Sequence, residues 1–228
     1  MVGKLYGIGV GPGDPKLLTL KAVEVLQECD VIAIPAKDTD RCVAYQIAFA
    51  AVPEIADKEI LHVDMPMTKK KDVLEKSHDE GAKLVRHTLD QGHTIGFLTL
   101  GDPTVYSTYL YIHERVKAAG YETEIVSGIA SPLAAAALLN TGLVEMDEQL
   151  HIIPATYGME DVLALSGTKV LMKVGKKIKM IKERLQKSDQ QVFLVENCGM
   201  ASQRILEGVD QLPEDAGYYT IVVLKERK

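Results

Sequence analysis

Short β-branched runs alternating with longer amphipathic segments predict an α/β protein of two lobes, with a cleft between them. The N-terminal lobe (1–127) is expected to carry a mostly parallel sheet and the C-terminal lobe (128–228) a mixed one. The strand-like runs are apolar almost throughout, as strands covered on both faces must be. After Ser127 the texture changes: small residues gather and a fresh set of strand runs begins.

In chain order, Leu5–Val10, Asp30–Pro35, Ile60–Val63, Thr94–Leu100 and Thr123–Val126 read as strands. Between them, Leu17–Glu28, Ala44–Ala51, Val73–Gln91 and Tyr106–Ala119 have helical periodicity. Asp14 is placed to cap the first of these helices and Pro15 to occupy its first position. Leu17, Leu18, Ala22, Val25 and Leu26 form its apolar stripe. Gly120 is placed to end the Tyr106–Ala119 helix. Ser131-Pro132 opens a helix of small residues through Leu139, with alanine at 134 to 137. Strands then follow at Leu150–Pro154, Val170–Val174, Val192–Glu196 and Tyr218–Leu224, with helices at Met159–Leu165 and Ile178–Gln186.

A chain of 228 residues can bury one large core or two modest ones without staples. The net charge of −6, with no basic face or tail, argues against nucleic acid and anionic membrane as partners. Lys69-Lys70-Lys71, after Pro66, reads as a solvated loop. Cys29, Cys42 and Cys198 are far apart and form no C-x-x-C pair, and the histidines lack close ligand spacing, so neither disulfide nor metal is expected. With no signal peptide and no apolar run long enough to span a bilayer, a reduced cytoplasmic protein is expected.

The loop Gly7-Ile8-Gly9-Val10-Gly11-Pro12-Gly13-Asp14-Pro15 joins a strand to a helix, the setting of a dinucleotide fingerprint. Its spacing fails that fingerprint: counted from Gly7 the third glycine is Pro12, and counted from Gly9 it is Asp14. Phosphate binding at a helix start needs free N–H groups. Here Pro12 and Pro15 remove two, and Asp14 puts a carboxylate where the phosphate would sit. A second turn, Leu100-Gly101-Asp102-Pro103-Thr104-Val105-Tyr106-Ser107, repeats Gly-Asp-Pro at the end of its own strand, where open α/β sheets bind ligands. A third, Ser127-Gly128-Ile129-Ala130-Ser131-Pro132, leads into the alanine-rich helix.

Together GIGVGPGDPKLLTLKA, LTLGDPTVYSTY, SGIASPLAAAALLN and ENCGMASQR resemble the tetrapyrrole (corrin/porphyrin) methylases, class III S-adenosylmethionine-dependent methyltransferases. Within that family GDPTVYSTYLY and GLVEMDEQLHIIP resemble the branch that methylates C-20 of cobalt-factor II or precorrin-2 in cobalamin synthesis. Ser127 departs from the proline of many members. The resemblance implies a homodimer of two-lobed subunits, S-adenosylmethionine as methyl donor with S-adenosylhomocysteine as product, and a tetrapyrrole substrate. Carried over by position, it implies cofactor contacts at Val10 and Pro12, at Leu100, Gly101, Asp102 and Val105, at Ala130 and Ser131, and at Met172, Cys198 and Gly199.

Methyl transfer is an in-line displacement, in which positioning supplies most of the catalysis. Asp102 is the first candidate for a base or electrostatic partner and Tyr106 for an orienting hydroxyl. A ring rimmed by carboxylates needs cations, for which Lys37, Arg41, Lys173, Lys176 and Lys177 are candidates, Arg41 above the others for its fork geometry. Glu145, Asp147 and Glu148 read as loop residues. The competing readings are another substrate on the same fold (another tetrapyrrole position, a diphthine precursor, an rRNA ribose) and a non-enzymatic nucleotide-binding module. Cobalt-factor II is favoured over precorrin-2.

Overall fold

The computed structural model describes residues 2–155, 162–186 and 188–226. The chain divides into two units, Met1–Ala130 and Ser131–Lys228. In the first, strands β1 (Leu5–Gly9), β2 (Val31–Ile34), β3 (Glu59–His62), β4 (Ile95–Thr99) and β5 (Thr123–Val126) form one parallel sheet in the order β3-β2-β4-β1-β5. The two-residue alternation of a strand sends its side chains to opposite faces. Ile8, Ile32, Ile34, Leu98 and Val126 pack with α1 (Leu20–Glu28) and α2 (Val43–Ala51). Leu5, Val31, Ala33, Leu61, Ile95 and Phe97 pack with α3 (Lys71–Asp90) and α4 (Tyr109–Ala118). Both faces of β1, β2 and β4 are covered, which is why these strands lack polar alternation.

The second unit opens on α5 (Ser131–Leu138) and holds β6 (Leu150–Pro154), β7 (Thr168–Met172), α6 (Ile178–Leu185), β8 (Gln190–Glu196), β9 (Arg204–Glu207) and β10 (Thr220–Glu226). Its sheet has the order β6-β7-β10-β8-β9. Only β6 and β7 pair in parallel; β10 runs antiparallel to β7 and β8, and β9 antiparallel to β8. Leu171, Val192, Leu194, Val222 and Leu224 pack with Ile178, Ile181 and Leu185 of α6. Helix α5 lies close to β10. The mixed α/β architecture is that expected from sequence.

Local differences have local causes. Asp14 does not cap α1: it caps a separate 3-10 turn, Pro15–Leu17, by accepting the Lys16 N–H at 2.9 Å. The chain then extends through Leu18, and Thr19 caps α1, its Oγ1 accepting the Ala22 N–H at 3.1 Å. Helix α4 starts three residues later than the periodicity suggests, because Tyr106 takes a left-handed φ of 51°. The Met159–Leu165 helix falls partly outside the described residues, which show a 3-10 turn at Val162–Ala164. Strand β9 has no counterpart in the sequence reading: Arg204-Ile205-Leu206-Glu207 is an edge strand, mostly exposed, without an apolar signature.

Candidate functional site

Strands β1 and β4 are neighbours, yet the chain leaves them towards opposite faces of the sheet, by α1 and by α4. This is a topological switch point, the place at which open α/β sheets bind ligands. The loops are nonetheless stitched at their bases. Val10 N–H donates to Thr99 O at 3.0 Å, and Gly11 and Gly101 exchange both backbone bonds, at 3.2 and 2.8 Å. Each of these two glycines has φ 75°, the left-handed conformation that glycine adopts without steric cost. The third turn presses against them. A Cβ on Gly9 would fall 2.6 Å from Gly128 N and 2.7 Å from Gly101 O, and one on Gly128 would fall 2.3 Å from Gly101 O.

Asp102 ties the second turn to the third. Its Oδ2 accepts Ser127 Oγ–H at 2.6 Å and Gly128 N–H at 2.9 Å, while Oδ1 accepts the Thr104 N–H at 2.8 Å and the Thr104 hydroxyl. Burial would push this carboxyl up, but the donors from Ser127, Thr104 and Gly128 outweigh it and hold it below the usual aspartate range. A carboxylate with four donors on its two oxygens and a lowered proton affinity is a poor proton acceptor. Of the two roles expected from sequence, general base or electrostatic partner, the geometry suits the second: a tether carrying a fixed negative charge. Ser127 supplies a donor that proline in its place would lack. Sequence reasoning did not single out Gly9, Ser127 or Gly128 as site residues; the spacing of the three turns was the available signal.

The other candidates distribute as follows. Val10 and Pro12 are buried in the first turn, and Leu100, Gly101 and Val105 line the second, with Tyr106 half-exposed beside them. A bulky residue at positive φ costs on the order of 1–3 kcal/mol, and such strain gathers at functional positions. Ala130 ends the first unit and Ser131 opens α5. Lys37 and Arg41 lie exposed in the loop after β2, with Arg41 3.9 Å from Asp38.

In the second unit, Met172 closes β7, Cys198 and Gly199 follow β8, and β10 runs antiparallel between these strands. Met172 and Cys198 are buried, and burial pushes the Cys198 thiol up to about 11, so it is a protonated, apolar group at neutral pH. Lys173 has φ 55° and its ammonium lies 5.9 Å from the Tyr218 ring centroid. Lys176 and Lys177 sit in the 3-10 turn Gly175–Lys177 that leads into α6. Glu148 accepts the Glu145 N–H at 2.9 Å, a loop role as expected. Among the described residues no group of acidic, histidine or cysteine side chains has the arrangement of a metal site.

The Val10 N–H is spent on Thr99 of β4, the Gly11 and Gly101 N–H groups on each other's carbonyls, Asp14 caps the 3-10 turn, and Thr19 caps α1. A pyrophosphate at the first turn would meet helix starts that are already capped. A ligand without phosphate and with positive charge suits turns that carry the Asp102 carboxylate.

A fold with paired α/β units and stitched glycine turns of this kind belongs to a recognisable class. Residues 4–211 match the family described as Tetrapyrrole (Corrin/Porphyrin) Methylases. Over its whole length the chain is 36% identical to the "Probable cobalt-precorrin-2 C(20)-methyltransferase" of Methanocaldococcus jannaschii, covering 98% of that protein. It is 30% identical to the Precorrin-2 C(20)-methyltransferase of a Sinorhizobium species, over 98% of this chain and 95% of the other. The fold superposes with a TM-score of 0.71 on the uroporphyrin-III C-methyl transferase of Thermus thermophilus complexed with S-adenyl homocysteine, at 22% identity, over 98% of this chain and 92% of that one.

The chain is a methyltransferase. It belongs to the tetrapyrrole (corrin/porphyrin) methylase family.

Proposed function

We propose that the protein transfers a methyl group from S-adenosylmethionine to C-20 of a precorrin-2-type macrocycle in cobalamin biosynthesis, with the cobalt-bearing ring as its substrate. The observation that carries this reading is the end-to-end similarity to the Methanocaldococcus protein whose name states that reaction. S-adenosylmethionine supplies, when bound, a methyl group on a cationic sulfur and has no phosphate to place. Val10, Pro12, Leu100, Gly101 and Val105 would hold it in the first unit through backbone and apolar contacts, and the Asp102 charge favours its cation. Ala130 and Ser131 would extend these contacts, with Met172, Cys198 and Gly199 offering apolar surface and backbone in the second unit.

Asp102 is then a positioning residue, setting the spacing of the turns through Thr104, Ser127 and Gly128. Tyr106 would orient the ring with its hydroxyl, and its strained backbone supports that role. Lys37, Arg41, Lys173 and Lys176 remain candidates for the ring's carboxylates. Among the described residues no helix is long and apolar enough to cross a membrane. We place the enzyme in the cytoplasm as a homodimer, for which the exposed Leu133, Leu138, Val144 and Met146 offer apolar surface.

Anaerobic incubation with S-adenosylmethionine and either cobalt-precorrin-2 or metal-free precorrin-2 tests the reading. One new methyl at C-20, formed faster on the cobalt form, is the expected product. Methylation elsewhere on the ring, or none, would overturn it, and faster turnover of the metal-free ring would reverse the cobalt preference.

A further inference from the structure

The lysine run at 69–71 stands in an odd place for a solvated loop. It joins β3 to α3, so it lies at the same carboxyl edge of the first sheet as the turns that follow β1 and β4. The segment is well braced. Thr68 N–H donates to Pro66 O at 3.0 Å, Lys70 N–H to Thr68 Oγ1 at 3.2 Å, and Ser77 Oγ–H to Asp64 O at 2.6 Å. Val63 N–H donates to Ile34 O at 3.0 Å, pinning the start of the loop to β2.

Lys70 is the N-cap of α3 and Lys71 its first residue, and no side chain caps the helix. Cations there oppose the positive end of the helix dipole, where acidic residues are favoured. All three lysines are exposed, and none forms an ion pair among the described residues. Of the nearby acids, Glu75 and Asp79 are taken by Arg115, leaving Asp64 and Asp72 against three lysines in residues 64–72. Helix stability does not explain this placement.

An apolar bed lies alongside. Helices α3 and α4 run side by side from that edge, as the Gly81–Ile112 and Asp79–Arg115 contacts show. In the first turn of α4, Tyr111 stacks face to face on the buried His78, with centroids 4.4 Å apart and planes 9° from parallel. The Tyr111 ring is half-exposed, so it presents a flat surface held from behind. Lys71 precedes His78 by about two helical turns, roughly 10 Å. Met67, which is 82% exposed, and Val73 add apolar surface next to the lysines.

We propose that Lys69, Lys70 and Lys71 clamp the carboxylates of the tetrapyrrole, with the Tyr111 ring as part of the bed on which its flat face rests. The inference rests on the functional reading above and extends it, because charge complementarity selects one occupant: a planar apolar ring with an acidic rim.

The test is the triple charge reversal Lys69→Glu, Lys70→Glu and Lys71→Glu, with Tyr111→Ala as a second variant. In the triple variant KM for cobalt-precorrin-2 should rise about tenfold or more, with kcat within about twofold and S-adenosylhomocysteine affinity unchanged. Its melting temperature should hold or rise, since acids then face the helix start. Lys117→Glu, at the far end of α4, should leave KM unaltered. A triple variant whose KM stays within about twofold of the parent's overturns the clamp while leaving the C-20 reading intact. Titration with uroporphyrin III, a porphyrin octacarboxylate, gives a readout independent of turnover. Equal affinity of parent and variant for it overturns the clamp whatever the parent methylates.

Discussion

Asp102 shows how much one buried carboxylate can organise. Asp102→Asn keeps the shape but replaces one acceptor oxygen with a donor, so two of the four bonds from Thr104, Ser127 and Gly128 are lost. Leaving buried donors unpaired costs about 1–3 kcal/mol, and S-adenosylhomocysteine affinity should fall with stability. The pH dependence has a definite sign. The folded carboxyl is held below its unfolded value, so its contribution is complete above about pH 4 and is lost as pH falls through the folded value. Urea titrations from pH 6 down to pH 2 should show the parent losing this increment and the Asn variant lacking it; parallel curves would refute the tether. At Tyr106 the expectation divides stability from activity. Tyr106→Gly removes the orienting hydroxyl, so methyl transfer should fall about tenfold, while it relieves a left-handed backbone worth about 1 kcal/mol, with no loss of melting temperature. A normal rate would remove Tyr106 from the site.

At the scale of elements, the crossing of three turns depends on glycines that face backbone rather than solvent. Gly128→Ala must displace Gly101 O, since no flexible side chain is there to yield. We expect it to weaken S-adenosylhomocysteine binding by at least about tenfold in calorimetric titration. Gly120 does sit at positive φ, unlike Gly128, but a Cβ there meets nothing within 4 Å, and Gly120→Ala should cost only about 1 kcal/mol with binding intact. Equal effects of the two would argue against a built cradle. The turns themselves were legible in sequence, because Gly-Asp-Pro after an apolar run marks a strand end. Their partners were not, since Ser127 and Gly128 meet Asp102 from 25 and 26 residues away and no local pattern records such a meeting. Strand β9 escaped notice because an edge strand needs no buried face. Asp14 misled for a related reason: Pro15 starts a turn as readily as a helix, and only the geometry of Leu18 and Thr19 shows which.

For the whole molecule, the absence of a phosphate cradle at the glycine turns makes a ligand-selective prediction. S-adenosylhomocysteine at a hundred times its Kd should stabilise the protein by about 2.7 kcal/mol, a rise of roughly 5–10 °C in Tm for a chain of this size. NAD at the same concentration should give no rise; a matching shift would reinstate the dinucleotide reading. The mixed α/β architecture was legible in the sequence from the alternation of runs, because dry strands and amphipathic helices each have their own periodicity. The order of strands was not, since periodicity says which face is buried and is silent on which neighbour lies alongside.

That order has a consequence for the timing of synthesis. Strand β1 is synthesised before both of its sheet neighbours, β4 and β5, while β10 is synthesised after both of its own, β7 and β8. The earliest strand must therefore wait, unpaired, until residues 95–99 and then 123–126 have been translated. The later sheet stays split into two halves until its final strand arrives. Such long-range closure is slow and leaves apolar edges open to other chains. Nascent chains arrested with residues 1–130 clear of the exit tunnel should resist protease across the first unit, whereas arrest before β5 should leave β1 cleavable. Expression yield should accordingly respond to chaperone supply and to translation speed through residues 10–95 more than to changes at the surface.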